Sequence, residues 1–186
     1  QPPIVFYLSG IILWNYFSTC LTGTSNAFIQ NASIFGKVYF PRLIIPFSII
    51  LSNLMKFSVQ FIFFLSVLFY YSNFTEYETH ISFHILWVPI LIIIMAILGL
   101  GMGMVISSFT TKYRDLVYLV TFGVQLMMYA TPIVYPVSMV KGKLLDIILL
   151  NPMTGVVEGF RYAFLGCGQF NVGMLAYSAT FAIVLL

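Results

Sequence analysis

One short segment, between positions 72 and 84, holds side chains of the kinds that bind metal ions. They are Glu76, Glu78, His80 and His84. Histidines four residues apart lie on one face of a helix, as zinc ligands often do. This segment shows no helical pattern and lacks a complete zinc signature. It is therefore interpreted as a wet loop between apolar stretches, and no metal site is expected.

A second polar group lies inside a long apolar stretch. Asn53, Lys56 and Gln60 follow the spacing i, i+3, i+7, which places them on one face of a helix. An ammonium group in the middle of a membrane costs about 3 kcal/mol unless it meets water, a partner or the bundle interior. The stripe either lines a pore or contacts a substrate, or it has a structural origin, as a buried polar network or as a lysine that extends toward the membrane surface.

The sequence has no motif for enzyme chemistry. It contains no G-x-x-x-x-G-K-[ST] loop for ATP. No Ser/His/Asp set and no pair of acids falls on one predicted helix face. We therefore expect a protein that is not itself an enzyme.

The composition places the chain in a membrane. Of its 186 residues 61% are hydrophobic and 7% charged, and the mean hydropathy is +1.02. Soluble domains carry about 25% charged residues, so an all-α integral membrane protein is predicted. The net charge of +3 is too small to indicate nucleic-acid binding. Cys20 and Cys167 are expected at different depths, as free thiols.

Five apolar stretches are predicted to be membrane spans. They cover Ile4–Thr24, Leu43–Tyr71, Ile85–Phe109, Leu116–Tyr135 and a last stretch from Val172 that is incomplete at Leu186. Gly99 and Gly103 form a small-xxx-small pair, which allows two helices to approach closely. Since both ends of the chain look cut, residues 1–186 are expected to be a piece of a longer transmembrane domain.

The region Val137–Cys167 holds two apolar pieces, Leu144–Leu150 and Met153–Leu165, that are too short to cross a membrane. We expect two short helices that enter the membrane and return, as is tolerated beside protein or a water-filled cavity. The region is therefore a candidate gate. Glu158 and Arg161 are three residues apart and can pair on a helix, either as part of that gate or only to stabilise the fold.

A charged island, Asn31–Pro46, separates the first two spans and carries Lys37 and Arg42. The loops after the first and third spans together hold four basic residues, and the other side holds three, all in the short-helix region. The positive-inside rule therefore places the first and third loops in the cytoplasm.

Four motifs occur in order along the chain: NAFIQNASIFGKVYFPRLIIP at Asn26–Pro46, KYRD at Lys112–Asp115, TPIVY at Thr131–Tyr135, and the stretch Asn151–Gly166. Together they resemble the permease subunits of type-2 ABC exporters that move polysaccharides such as O-antigen, capsular polysaccharide or teichoic acid. The first motif is similar to the family's coupling region, the second to its arginine–aspartate loop, and the last two to its outer gate.

The resemblance implies a bundle of six membrane helices with a re-entrant pair before the last. By that count the five spans here are the second to the sixth, without the upstream interfacial helix and first span and with the last span truncated. It implies a homodimer in the bacterial cytoplasmic membrane that moves lipid-linked polysaccharide and binds an ATPase subunit. ATP and Mg would be bound by that partner, so no cofactor is expected here. The other expected partners are membrane lipid and a second copy of the permease.

The resemblance also assigns roles to single residues. The residues implied in coupling to the ATPase are Gly36, Lys37, Pro41 and Arg42. Arg114 and Asp115 are expected to form an ion pair at the cytoplasmic rim. The residues implied in the outer gate are Tyr135, Asn151, Pro152, Glu158 and Arg161.

Two other functions stay open. One is a type-2 ABC exporter of small molecules such as drugs or antibiotics, with the same fold and a narrower channel. The other is an intramembrane acyl- or glycosyltransferase, which needs a buried cluster of acids or histidines. The sequence offers only His80 and His84 for that role, and both fall in a predicted loop.

Overall fold

The structure is an all-α arrangement of membrane helices. The computed structural model describes residues 3–32, 41–74, 83–168 and 170–186, and these contain helices and turns without a strand. In chain order the helices are α1 (Pro3–Gln30), α2 (Ile44–Phe74), α3 (Val88–Lys112), α4 (Leu116–Ala130), α5 (Lys143–Leu150), α6 (Pro152–Leu165) and α7 (Val172–Val184). Short 3-10 turns cover Phe83–Trp87 and Val137–Met139.

Three helical stretches of the described residues are long and apolar enough to cross a membrane: Pro3–Gln30, Ile44–Phe74 and Phe83–Lys112. They match the first three predicted spans. Helix α1 continues past the predicted end at Thr24, because the next six residues include neither proline nor glycine. At 1.5 Å per residue α2 extends for about 46 Å, longer than the hydrocarbon core of about 30 Å.

The fourth span is shorter than predicted. Helix α4 ends at Ala130, and Thr131 is extended with φ −101° and ψ 140°. The reason is Pro132, which disfavours helical backbone in the residue before it and cannot continue the helix. Helices α4 and α7 are apolar but have 15 and 13 residues, about 22 and 20 Å. The count of five spans therefore stays a prediction.

The two predicted short helices are present as α5 and α6. Asn151 separates them, and its side chain caps α6 by accepting a hydrogen bond of 3.0 Å from the Met153 amide. Proline at the first position of α6 suits a helix start, because its missing N–H would have no partner there. That this pair enters the membrane and returns stays a prediction.

Helix α1 occupies the centre and packs most extensively against α3. A Cβ built on Gly103 would lie 2.6 Å from the Cβ of Thr24, and one on Gly99 would lie 2.8 Å from the Cβ of Cys20. The close helix approach predicted from this glycine pair is confirmed, and α1 is its partner. Cys20 and Cys167 form no disulfide, as expected.

The substitution Gly103→Ala tests this packing. We expect a lower melting temperature of the detergent-solubilised permease, because overpacking of a tight contact costs about 1–3 kcal/mol. Gly123→Ala is the matched control, since a Cβ on Gly123 of α4 meets no atom within 4 Å. Equal melting temperatures of the two variants would contradict the close contact between α1 and α3.

Candidate functional site: a buried arginine clamp beside an outer cavity

Arg161 is the most constrained polar side chain of the short-helix region. It is 0% exposed. Its Nη1 donates to the carbonyl oxygen of Pro132 and its Nη2 to that of Ile133, both at 2.6 Å. These carbonyls lie just past the end of α4, where the proline has interrupted the helix. The guanidinium thus satisfies two backbone acceptors that the broken helix leaves in an apolar interior.

The same guanidinium also contacts α1. Its Cζ lies 3.8 Å from the centre of the Phe6 ring, which is a cation–π contact. Gly10 leaves room for it one turn further along α1, because a Cβ there would lie 2.7 Å from Nη2. One side chain of α6 therefore fixes the positions of α1 and of the turn after α4.

Glu158 lies one turn before Arg161 on α6 and is 5% exposed. Its Oε1 is 3.8 Å from Nη1 of Arg161, so the predicted pair is confirmed. Its Oε2 faces the turn between α6 and α7. A Cβ on Gly168 would lie 2.7 Å from that oxygen, and Gly168 has φ of 99°, a conformation that suits glycine. Glu158 thus contacts both Arg161 and the turn after α6.

Asn151 links the start of α6 to the end of α4. Its Nδ2 donates to Oγ1 of Thr131 at 2.9 Å, while the Thr131 hydroxyl donates to the Met127 carbonyl at 2.9 Å. The residues predicted for the outer gate therefore lie in one region. Tyr135 belongs to the segment between α4 and α5, and its hydroxyl donates to the Tyr129 carbonyl at 3.1 Å.

A cavity of about 480 Å³ lies beside the clamp. Arg161, Glu158 and Thr154 of α6 supply its polar wall, and Met174 of α7 and Phe6 of α1 add apolar surface. Cys167 and Gly168, in the turn after α6, also line it. The rest of the wall comes from the segment before α5 and from α5 itself, through Pro136, Val137, Ser138, Val140, Leu145 and Leu149. The sequence contained no signal for this cavity, because its walls come from four separate helices.

Helix α4 carries an aromatic face that the sequence did not single out. Tyr118, Phe122 and Tyr129 are 78%, 59% and 72% exposed, and Gln125 is exposed beside them. Their spacing of four, three and four residues places all four side chains on one side of the helix. Within α4 only Val124 is buried. The helix therefore presents a continuous surface of rings and one amide to whatever lies next to it.

The polar stripe on α2 is only partly buried. Asn53 is buried, Gln60 is half-buried and Lys56 is exposed. The Lys56 Nζ donates to Oδ1 of Asn53 at 3.3 Å. The stripe therefore runs from the buried side of α2 to its exposed side, where the ammonium group of Lys56 is accessible to a neighbouring molecule.

The predicted ion pair at the rim is absent. Arg114 and Asp115 are both exposed, and they form no ion pair with each other or with another of the residues that the structure describes. Consecutive residues at the start of a helix point in different directions, which explains the difference. Of the coupling residues, Pro41 and Arg42 are exposed just before α2, and Gly36 and Lys37 lie outside the described residues.

His84 contacts aromatic rings. Its ring centre lies 4.5 Å from that of Phe170 and 5.0 Å from that of Tyr162. Among the described residues no three or more His, Cys, Asp or Glu side chains come together as a metal would need. His80, Glu76 and Glu78 lie outside the described residues.

Comparison with known proteins gives a consistent result. The model of a family described as ABC-2 type transporter matches residues 4–165. Two proteins of Klebsiella pneumoniae named O-antigen export system permease protein RfbA are each 32% identical over 162 residues, which is 87% of this chain. A protein of the same name from Myxococcus xanthus is 24% identical over 161 residues, or 86% of the chain. The chain spans 60% of the length of these relatives.

The substitution Arg161→Lys tests the clamp. A lysine ammonium is a compact point charge without the planar fork of the guanidinium, so it does not reproduce both carbonyl bonds and the stacking on Phe6 with the same geometry. A hydrogen bond to a charged group contributes about 1.5–3 kcal/mol, so we expect a loss of about 2 kcal/mol and a lower melting temperature. Arg114→Lys, on an exposed side chain, should leave the melting temperature unchanged. A clamp variant as stable as this control would show that the buried guanidinium contributes nothing.

Proposed function

The chain belongs to the ABC-2 type transporter family, and from this membership we propose that it forms the membrane permease subunit of an ATP-driven polysaccharide exporter. The observation that carries the proposal is the family match over residues 4–165, joined to relatives named O-antigen export permeases. The substrate is a lipid-linked polysaccharide, and the membrane is the bacterial cytoplasmic membrane. Three long apolar helices agree with a multi-pass subunit.

The energy comes from a separate subunit. This chain has no phosphate-binding loop, so ATP and Mg bind to an ATPase partner and this subunit does no chemistry of its own. When the ATPase subunits close on ATP, they displace the loop at Gly36–Arg42. Two long helices flank this loop, α1 before it and α2 after it. A displacement of the loop is therefore passed along both of them.

The aromatic face of α4 lines the path of the polymer, between this chain and a second copy. Aromatic rings bind the apolar faces of sugar rings without demanding one orientation, which suits a polymer that must slide. Gln125 adds a hydrogen-bonding group to the same surface. The support for this placement is that Tyr118 and Tyr129 project from a helix that buries only Val124.

The outer end of the path is closed by the region around the clamp. Tyr135, Asn151, Pro152, Glu158 and Arg161 form this gate. Asn151 and Arg161 both bind the turn at the end of α4, so a rocking motion of α4 reaches the gate directly. The exposed Arg114 and Asp115 at the other end of α4 remain available to the ATPase.

The double substitution Lys37→Ala and Arg42→Ala tests the coupling loop. In proteoliposomes that hold the full-length permease and its ATPase, we expect ATP hydrolysis to lose its stimulation by the lipid-linked glycan. Lys141→Ala removes a cation from the opposite side of the membrane and is the control. Normal stimulation in the double variant would show that the loop does not couple the two subunits.

The double substitution Tyr118→Ala and Tyr129→Ala tests the sugar path. Each aromatic contact contributes about 0.5–1.5 kcal/mol, so we expect glycan export to fall roughly tenfold while basal ATP hydrolysis persists. Phe63→Ala, on an exposed ring of α2 that is 60% accessible, is the matched control. Undiminished export of glycan would remove α4 from the path, and ATP-driven transport of small lipophilic compounds alone would favour the drug-exporter alternative.

A further inference from the structure

The two short helices differ sharply in how they are held. Of the 14 residues of α6, the structure buries 12. Of the eight residues of α5, it buries only Ile148. The residues between Val134 and the start of α5 are all exposed or half-buried, whereas Thr131, Pro132 and Ile133 just before them are buried. Burial therefore changes abruptly at two places, after Ile133 and after Leu150.

Both of these places are fixed by hydrogen bonds. Arg161 holds the carbonyls of Pro132 and Ile133 at one of them. At the other, Asn151 donates to Thr131, which closes the chain segment into a loop with a common base. The segment 134–150 thus leaves the protein body and returns to it at nearly the same point. We call this segment the outer flap.

The outer flap covers a cavity. Val137, Val140, Leu145 and Leu149 of the flap face the space of about 480 Å³ whose opposite wall contains Arg161 and Glu158. A close-packed element has no such space beneath it, because protein interiors leave few voids larger than a water molecule. The flap therefore rests over its floor without filling the space between them.

We propose that the outer flap is the part of the gate that moves, and that α6 stays fixed as its frame. This inference rests on the proposed transport function and narrows it, since the sequence made the whole region Val137–Cys167 a candidate gate. Arg161 and Asn151 act as positioning residues that hold the base, and substrate passes where the flap lifts.

The contacts of the flap define how it turns. The Thr154 hydroxyl donates to the Ile148 carbonyl at 2.6 Å and the Tyr177 hydroxyl to the Leu150 carbonyl at 2.9 Å, so the end of α5 is a pivot. At the other end, the Tyr135 hydroxyl donates to the Tyr129 carbonyl of α4 at 3.1 Å. Gly142 has φ of 72° and no atom near its Cβ position, which permits bending there. Breaking the Tyr135 bond frees the flap from the helix proposed to line the path.

Cys167 provides a native reporter for this motion, because it lines the floor of the cavity, whereas Cys20 is buried in α1. In proteoliposomes with the full-length permease and its ATPase, an impermeant thiol reagent is added on the outer side. We expect ATP and glycan together to raise the labelling rate of Cys167 several-fold and to leave Cys20 unlabelled. Tyr135→Phe should raise the Cys167 rate without ATP. Labelling of Cys167 that is unchanged by turnover would overturn the proposal.

A cleavable crosslink gives a second measurement. Leu145→Cys places a thiol on the flap across the cavity from Cys167, and a flexible bifunctional thiol reagent joins the two. We expect export to fall to background while ATP hydrolysis continues, and a reductant to restore export. Leu144→Cys, on the exposed side of α5, is the matched control and should export normally after the same treatment. Normal export by the bridged Leu145→Cys permease would show that the flap does not move.

The same experiment separates this inference from the function on which it rests. If the permease with unbridged Leu145→Cys exports glycan, the proposed function stands. Export by the bridged form then tests whether the flap moves. If neither form exports glycan but the unmodified permease does, the rate of Cys167 labelling in the unmodified permease tests whether the flap moves. If the unmodified permease fails to export, the proposed function itself fails.

Discussion

The structure depends on one constraint, which is that backbone carbonyls freed inside an apolar protein need donors. Pro132 ends α4 at Ala130, after about 22 Å of helix. The carbonyls that follow have no helical partners, and in hydrocarbon each such group costs several kcal/mol. Arg161 supplies both donors from α6. The burial of α6 and its contact with Phe6 of α1 both accord with this arrangement.

The clamp also explains why a charged pair is present in so apolar a chain. Removing one partner of a buried ion pair leaves an uncompensated charge and is strongly destabilising. Glu158 balances Arg161 and at the same time lies against the turn at Gly168. The pair thus fixes α6 between α4 and α7. An element fixed on both sides is suited to serve as a frame, and mobility is left to the exposed segment that returns to it.

The helices differ in how tightly they are packed. Helix α1 is held to α3 by glycines that allow contact between backbones, so these two helices form a rigid centre. Helix α4 packs less and exposes its rings, and α2 exposes both apolar side chains and the Lys56 ammonium. A rigid centre with exposed flanking helices agrees with a subunit that completes its surface through a second copy and through lipid. In the proposed exporter, motion then passes along α1 and α2 while the centre keeps its packing.

Hydropathy, proline positions and residue spacing were enough to predict the membrane class, the three long spans, the two short helices and the Glu158–Arg161 pair, because each acts within one segment of chain. The two wrong predictions were also local: the fourth span was continued past Pro132, and Arg114 was expected to pair with Asp115. Three features could be read only from the folded chain: Arg161 binds the turn after α4, α1 is the partner of Gly103, and a cavity lies between part of α5 and the Arg161 side of α6. Each of these contacts joins residues distant in the chain, and no periodic pattern encodes which helix meets which.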